Sequence, residues 1–135
     1  MVRYTFKKEE RLCNKRLLTS LFQSGSSFVL YPYRISFLKA QPLAFPAQVV
    51  ISVPKRRFKR AVDRNLLKRR IREAYRMQKE GLLYAFLQTM QTEVLLSIHY
   101  IGTDIPAYKV LYKQLTKALE KLQHEYRKQY METVD

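Results

Sequence analysis

The stretch RAVDRNLLKRRIREAYRM, residues 60–77, carries two periodic patterns at once. Leu67, Ile71, Ala74 and Tyr75 recur at i, i+4, i+7 and i+8, the spacing of one apolar stripe on an α-helix. Asn65, Arg69, Arg72 and Arg76 stand at i, i+4, i+7 and i+11 and, at about 100° per residue, form a second stripe directed away from the first. A helix with one packing face and one cationic face is therefore predicted. It is entered through the equally basic KRRFKR of residues 55–60, and Asp63 and Glu73 are the only acids between positions 55 and 76. Like charges at i,i+4 repel by a few tenths of a kcal/mol per pair, so the stripe has no stability rationale in a free protein, whereas phosphate contact offsets the repulsion. Arginine outnumbers lysine in the helix, which favours bidentate phosphate contacts and stacking on unpaired bases.

Working outward from this helix, residues 94–101 (VLLSIHYI) are apolar on both faces and read as an internal strand. Upstream, Val49, Ile51 and Val53 alternate with Gln48, Val50 and Ser52, and Tyr33, Ile35 and Phe37 alternate with Arg34 and Ser36. A loop punctuated by Pro42 and Pro46 separates the two runs, and a hairpin is the simplest reading. Residues 28–31 are a candidate for one further strand. Nearer the N-terminus, Leu17, Leu18, Leu21 and Phe22 share one helical face, with Asn14 as N-cap and Gly25 as the stop. A weaker helical pattern follows Gly81 through Leu82, Leu83, Phe86, Leu87 and Met90. The last helix is predicted to open at Asp104-Ile105-Pro106, with Asp104 as N-cap and Pro106 in the first turn, and to bury Tyr108, Leu111, Leu115, Leu119, Leu122 and Tyr126. The order α, two or three strands, α, β, α describes a two-layer α/β sandwich with a small sheet.

A chain of 135 residues suits one domain, residues 1–135, and its 26 Lys+Arg against 11 Asp+Glu leave a net charge of +15 that calls for a polyanionic partner. The hydrophobic share of 47% distinguishes it from a basic disordered tail. Cys13 is the only cysteine, which excludes an internal disulfide and fits a reducing cytosol. The charged opening MVRYTFKKEERL lacks the apolar segment of a secretory signal, and no run approaches the roughly 20 apolar residues of a membrane span, so a cytoplasmic protein without membrane contact is expected. His99 and His124 stand apart from any second ligand or nucleophile, and no carboxylate cluster or Gly-rich phosphate loop is present, so a protein active site is not expected. Asp63 and Glu73 suit ion pairs with adjacent arginines better than a hydrated magnesium ion.

If the strands pair, Arg34 and Ser36 on one and Gln48 and Ser52 on the next share a phase and would line a polar groove suited to a single nucleic-acid strand. Phe22, Phe28, Tyr31 and Phe58 are candidate stacking partners. Two other readings of the basic helix are a ribosomal or RNA-chaperone protein without a substrate groove, and a DNA-binding regulator. The second lacks flanking helices at helix-turn-helix spacing.

Residues 61–75, AVDRNLLKRRIREAY, resemble the signature helix of the bacterial ribonuclease P protein component. Arg11-Leu12, Leu21-Phe22 and Gly25 resemble a second element of that family, and Ser52-Val53-Pro54-Lys55-Arg56 a third, so that the likeness covers most of residues 6–76. It implies the order α-β-β-β-α-β-α with a left-handed crossover. It also implies a protein subunit that binds ribonuclease P RNA and the 5′ leader of precursor tRNA, with Mg2+ working alongside the RNA, no organic cofactor and no obligate protein partner. By the resemblance, Arg64, Asn65, Lys68, Arg69 and Arg72, with Arg76 of the stripe, would contact the catalytic RNA. Leu18, Phe22, Arg34, Ser36, Ser52 and Arg56, with neighbouring Lys55, would line the leader cleft. The chain departs from the family pattern at Leu66, where an arginine is usual, at Leu18, where an aromatic is usual, and in a loop one residue longer around Arg57.

Overall fold

The structure, a computed structural model, describes residues 4–40 and 42–131. Helix α1 spans Lys15–Ser24 and begins where Asn14 Oδ1 accepts the backbone N–H groups of Arg16 and Leu17 at 2.9 and 3.1 Å, two donors the helix itself leaves unpaired. Asn14→Ala is expected to lower stability by about 1 kcal/mol, read as a shifted denaturation midpoint. An unmoved midpoint would show that water replaces the cap. At the other end a side chain on Gly25 would run into the carbonyl oxygens of Leu21 and Phe37, so only glycine lets the chain pass straight from helix to strand.

Strands β1 (Ser26–Leu30), β2 (Tyr33–Lys39), β3 (Ala47–Ser52) and β4 (Val94–Tyr100) form one sheet in the order β1-β2-β4-β3. β1 pairs antiparallel with β2 and β2 with β4, while β3 runs parallel to β4. The expected hairpin of β2 and β3 is therefore not formed: β4 lies between them. The cause is the double-faced apolar character of β4, which is stable only where strands flank both edges and both faces are covered. The proline-bearing loop between β2 and β3 wraps the start of β4, with Ala40 N–H donating to the Glu93 carbonyl and Val94 N–H to that of Pro46, both at 2.9 Å.

Helix α2 (Ala61–Lys79) makes the crossover from β3 to β4 and continues through a π-helical turn, Glu80–Tyr84, into the short α3, Ala85–Thr89. Helix α4 covers Tyr108–Tyr126 and starts at Ala107 rather than at Asp104, which corrects the predicted cap. The Asp104 carbonyl accepts the Tyr100 hydroxyl at 2.7 Å and the Pro106 carbonyl accepts Arg70 Nη1 at 2.7 Å, so this segment is held as a link against the sheet and α2. The main core lies between one sheet face and α2 and α4, joining Ile35, Phe37, Leu96 and Ile98 to Leu67, Ile71, Leu115 and Leu119. On the opposite face α1 covers only part of the sheet, through Leu12, Leu21 and Leu95 with Leu17, Leu18, Leu38 and Val50.

The N-terminal segment is tied to the end of α2 by buried charge. Lys79 and Glu10 pair with side chains about 1% exposed, Tyr84 Oη donates to Glu10 Oε1 at 2.6 Å, and Lys7 N–H donates to Glu10 Oε2 at 2.7 Å. Burial pushes the Glu10 carboxyl up, but the Lys7 amide, the Lys79 ammonium and the Tyr84 hydroxyl outweigh it and hold the group below the usual carboxylate range.

Candidate nucleic-acid interface

Leu67, Ile71, Ala74 and Tyr75 of α2 are fully buried, so the predicted packing face is the one that packs. On the other side Asn65, Arg69 and Arg72 are exposed, and among the described residues neither arginine makes an ion pair. The remaining cations of the set are engaged within the molecule or partly covered. Arg76 is bound by Glu73, at 2.9 Å from Nε and 2.5 Å from Nη2, and also donates to the Tyr4 carbonyl. The Arg76 hydrogen bonds hold the Glu73 carboxyl below its ordinary range. Arg64 Nη1 closes the basic loop by donating to the carbonyls of Phe58 and Lys59 at 2.8 and 2.9 Å. Lys68 and Leu66 are half-buried. Arg70, bonded to Pro106, is anchored against the link to α4.

The second surface is the sheet face that α1 leaves uncovered. Sheet pairing aligns Val29, Arg34, His99 and Ser52 in one row across the four strands, and Ser27, Ser36, Ser97 and Val50 in the next. The polar residues of β2 and β3 keep their predicted phase in the trough beside α1, but the two strands do not pair: β4 stands between Arg34 and Ser52, and Gln48 lies opposite Leu95 and donates to the Glu9 carbonyl at 3.3 Å instead. Ser52 and His99 are hydrogen-bonded, Oγ to Nδ1, at 2.7 Å. Arg34, Lys55 and Arg56 are exposed, Ser36 and Ser52 half-buried, and Arg57 reaches back to the Ile101 carbonyl. Burial, and then the charges of Arg34, Arg56 and Arg57, draw the His99 pKa below its ordinary value, which keeps the ring neutral at physiological pH.

The aromatic candidates separate in the structure. Phe22 and Tyr31 are 63% and 60% exposed. Phe22 lies one turn beyond half-buried Leu18 on α1. Phe28 is half-buried against Phe37, with the Lys121 ammonium 5.3 Å from its ring centre. Phe58 is no stacking platform: it is buried against Tyr100, with ring centres 5.9 Å apart, because the turn after Pro54 folds it inward.

Sequence reading weighed His99 only as a metal ligand or catalytic group and did not place it beside Arg34 and Ser52. Its only signal was the polar pair Ser97 and His99, two residues apart in an apolar strand. A small cavity of about 160 Å³ lined by Arg11, Cys13, Val50 and Arg72 joins the helix stripe to the edge of the sheet at β3. Among the described residues no three His, Cys, Asp or Glu side chains converge as ligands for a metal ion, and no helix is long and apolar enough to cross a membrane.

A small α/β sandwich that leaves an arginine-bearing helix face and the Arg34 side of its sheet open to solvent is of the class of basic RNA-binding domains. A family model described as Ribonuclease P matches residues 6–126, and the chain belongs to the Ribonuclease P family. It is 34% identical to the ribonuclease P protein component of Porphyromonas gingivalis over 113 residues, 83% of this chain and 82% of that one. It is likewise 34% identical to that of Petrotoga mobilis, over 88% of this chain and 96% of the relative. The fold is shared with the RNase P protein from Thermotoga maritima, at a TM-score of 0.66 and 20% identity, covering 83% of this chain and 96% of that one.

Proposed function

We propose that this chain is the protein subunit of ribonuclease P and acts in tRNA 5′ processing, with Arg69, Arg72 and Asn65 of α2 docking on the catalytic RNA. In the same proposal the trough of Arg34, Ser36 and Ser52, flanked by Lys55, Arg56, Leu18 and Phe22, holds the 5′ leader of precursor tRNA. Arg64, Lys68 and Arg76 border the docking surface; Arg64 shapes the loop that presents it. The observation that carries the proposal is the disposition of the two surfaces, one on the outer side of α2 and the other on the opposite sheet face, adjoining at β3. One domain can then bridge two RNA strands. An RNA-chaperone or ribosomal protein would need the helix alone, and the open trough favours the subunit reading.

We assign magnesium to the RNA phosphates, with the protein's cations lowering the repulsion between catalytic RNA and substrate. The setting is the cytoplasm, with no obligate protein partner. Adding the protein to the catalytic RNA at limiting magnesium is expected to restore removal of the leader from precursor tRNA, followed on a gel as the released 5′ fragment. A cleavage rate unchanged by the protein would rule the reading out.

A further inference from the structure

One side chain between Arg34 and Ser52 carries two hydrogen-bonding ring nitrogens and no permanent charge. His99 lies on the central strand, paired across the sheet with Arg34 on one side and Ser52 on the other. Its Nδ1 is taken by Ser52 Oγ at 2.7 Å, which orients the ring, and Nε2 has no partner among the described residues. Arg34 on β2 and Arg56 and Arg57 on the loop after β3 are the charges that bear on the ring, with no acid among them. Three guanidiniums bind phosphate whatever the sequence of the strand, because every nucleotide carries the same phosphate. A neutral imidazole attracts phosphate weakly but donates or accepts one directional hydrogen bond, and that is what distinguishes one base edge from another.

We infer that His99 reads the base edge of one unpaired nucleotide of the strand in the trough, with Ser52 setting the ring and Arg34 and Arg56 holding the neighbouring phosphates. His99 is thereby a specificity-determining residue, a role that presupposes the leader placed in this trough. The two roles divide the site: cations for affinity, imidazole for choice of base.

The test uses holoenzyme reconstituted from the catalytic RNA and either the wild-type protein or His99→Ala, His99→Gln or Arg34→Ala. Affinity is measured for mature tRNA and for precursor tRNAs carrying each of the four bases at each leader position near the cleavage site. At one leader position, His99→Ala is expected to shrink the spread between the best and worst base by about fivefold, the worth of one neutral hydrogen bond. His99→Gln, which keeps a polar edge, is expected to retain or re-rank the spread. Affinity for mature tRNA and the salt dependence of binding are expected to be unchanged in both. A loss that is uniform over all leaders, or a spread left intact in a folded His99→Ala protein, overturns the role of His99. Arg34→Ala separates this from failure of the broader reading. If that variant weakens precursor relative to mature tRNA while His99→Ala leaves the spread intact, only the His99 inference falls. If Arg34→Ala affects precursor and mature tRNA alike, the leader is not in the trough and both fall.

Discussion

Replacing Glu10 by alanine is expected to destabilise the protein by about 3 kcal/mol, because it strands the Lys79 ammonium in a site where both side chains are only about 1% exposed. Removing one member of a buried pair typically costs about 3–5 kcal/mol, and the lower end applies here because Glu80 lies 3.9 Å from the same ammonium and is 38% exposed. Tyr84 and the Lys7 amide would lose their acceptor as well. Glu10→Leu combined with Lys79→Met is expected to recover most of the loss, since the desolvation of two charges disappears with the pair. The sign of the pH dependence follows from the depressed Glu10 carboxyl. The unfolded chain binds the proton more readily, so the pair's contribution is fully present above the ordinary carboxylate pKa and fades as the pH falls through the folded value. Urea midpoints for both variants and the wild type, between pH 3 and pH 7, measure this. An Glu10→Ala protein as stable as wild type would show that the pair contributes nothing net.

The double substitution Arg69→Ala with Arg72→Ala is expected to weaken binding to the catalytic RNA by roughly a hundredfold, since a hydrogen bond to a charged group contributes about 1.5–3 kcal/mol. The two residues are exposed and free of ion pairs among the described residues, so their removal leaves the core untouched. Thermal stability is expected to stay level or rise slightly as repulsion along the helix falls. Each lost phosphate contact should also lower the slope of log affinity against log salt by about 0.7–0.9. Filter binding across a salt series reads both quantities, and an unaltered slope would mean that the stripe does not face RNA.

Both effects depend on side chains whose positions differ in how far the sequence discloses them. Arg69 and Arg72 were legible because a helix converts spacing directly into direction: residues four and seven apart share a face whatever the helix packs against. The Asn14 cap and the polar phase of β2 and β3 were legible on the same ground. Asp104 misled because a good capping residue was already placed elsewhere by a tertiary contact, its carbonyl taken by Tyr100. Phe58 misled because an aromatic in a basic loop looks exposed until the turn after Pro54 carries it into the core.

The amino-acid sequence by itself determined the elements and their faces, including the two-sided helix from Ala61 to Lys79. It also disclosed the class of partner, through a net charge of +15, more than half of it between Lys55 and Arg76. Only the tertiary structure decided which strands adjoin. It placed β4 between β2 and β3, set His99 against Ser52 across 47 residues of chain, and closed Glu10 on Lys79 across 69. Periodicity is a local property, written in four to eight consecutive residues, whereas strand order and buried pairing follow from the simultaneous burial of every apolar face in the chain. No short window of residues contains that constraint.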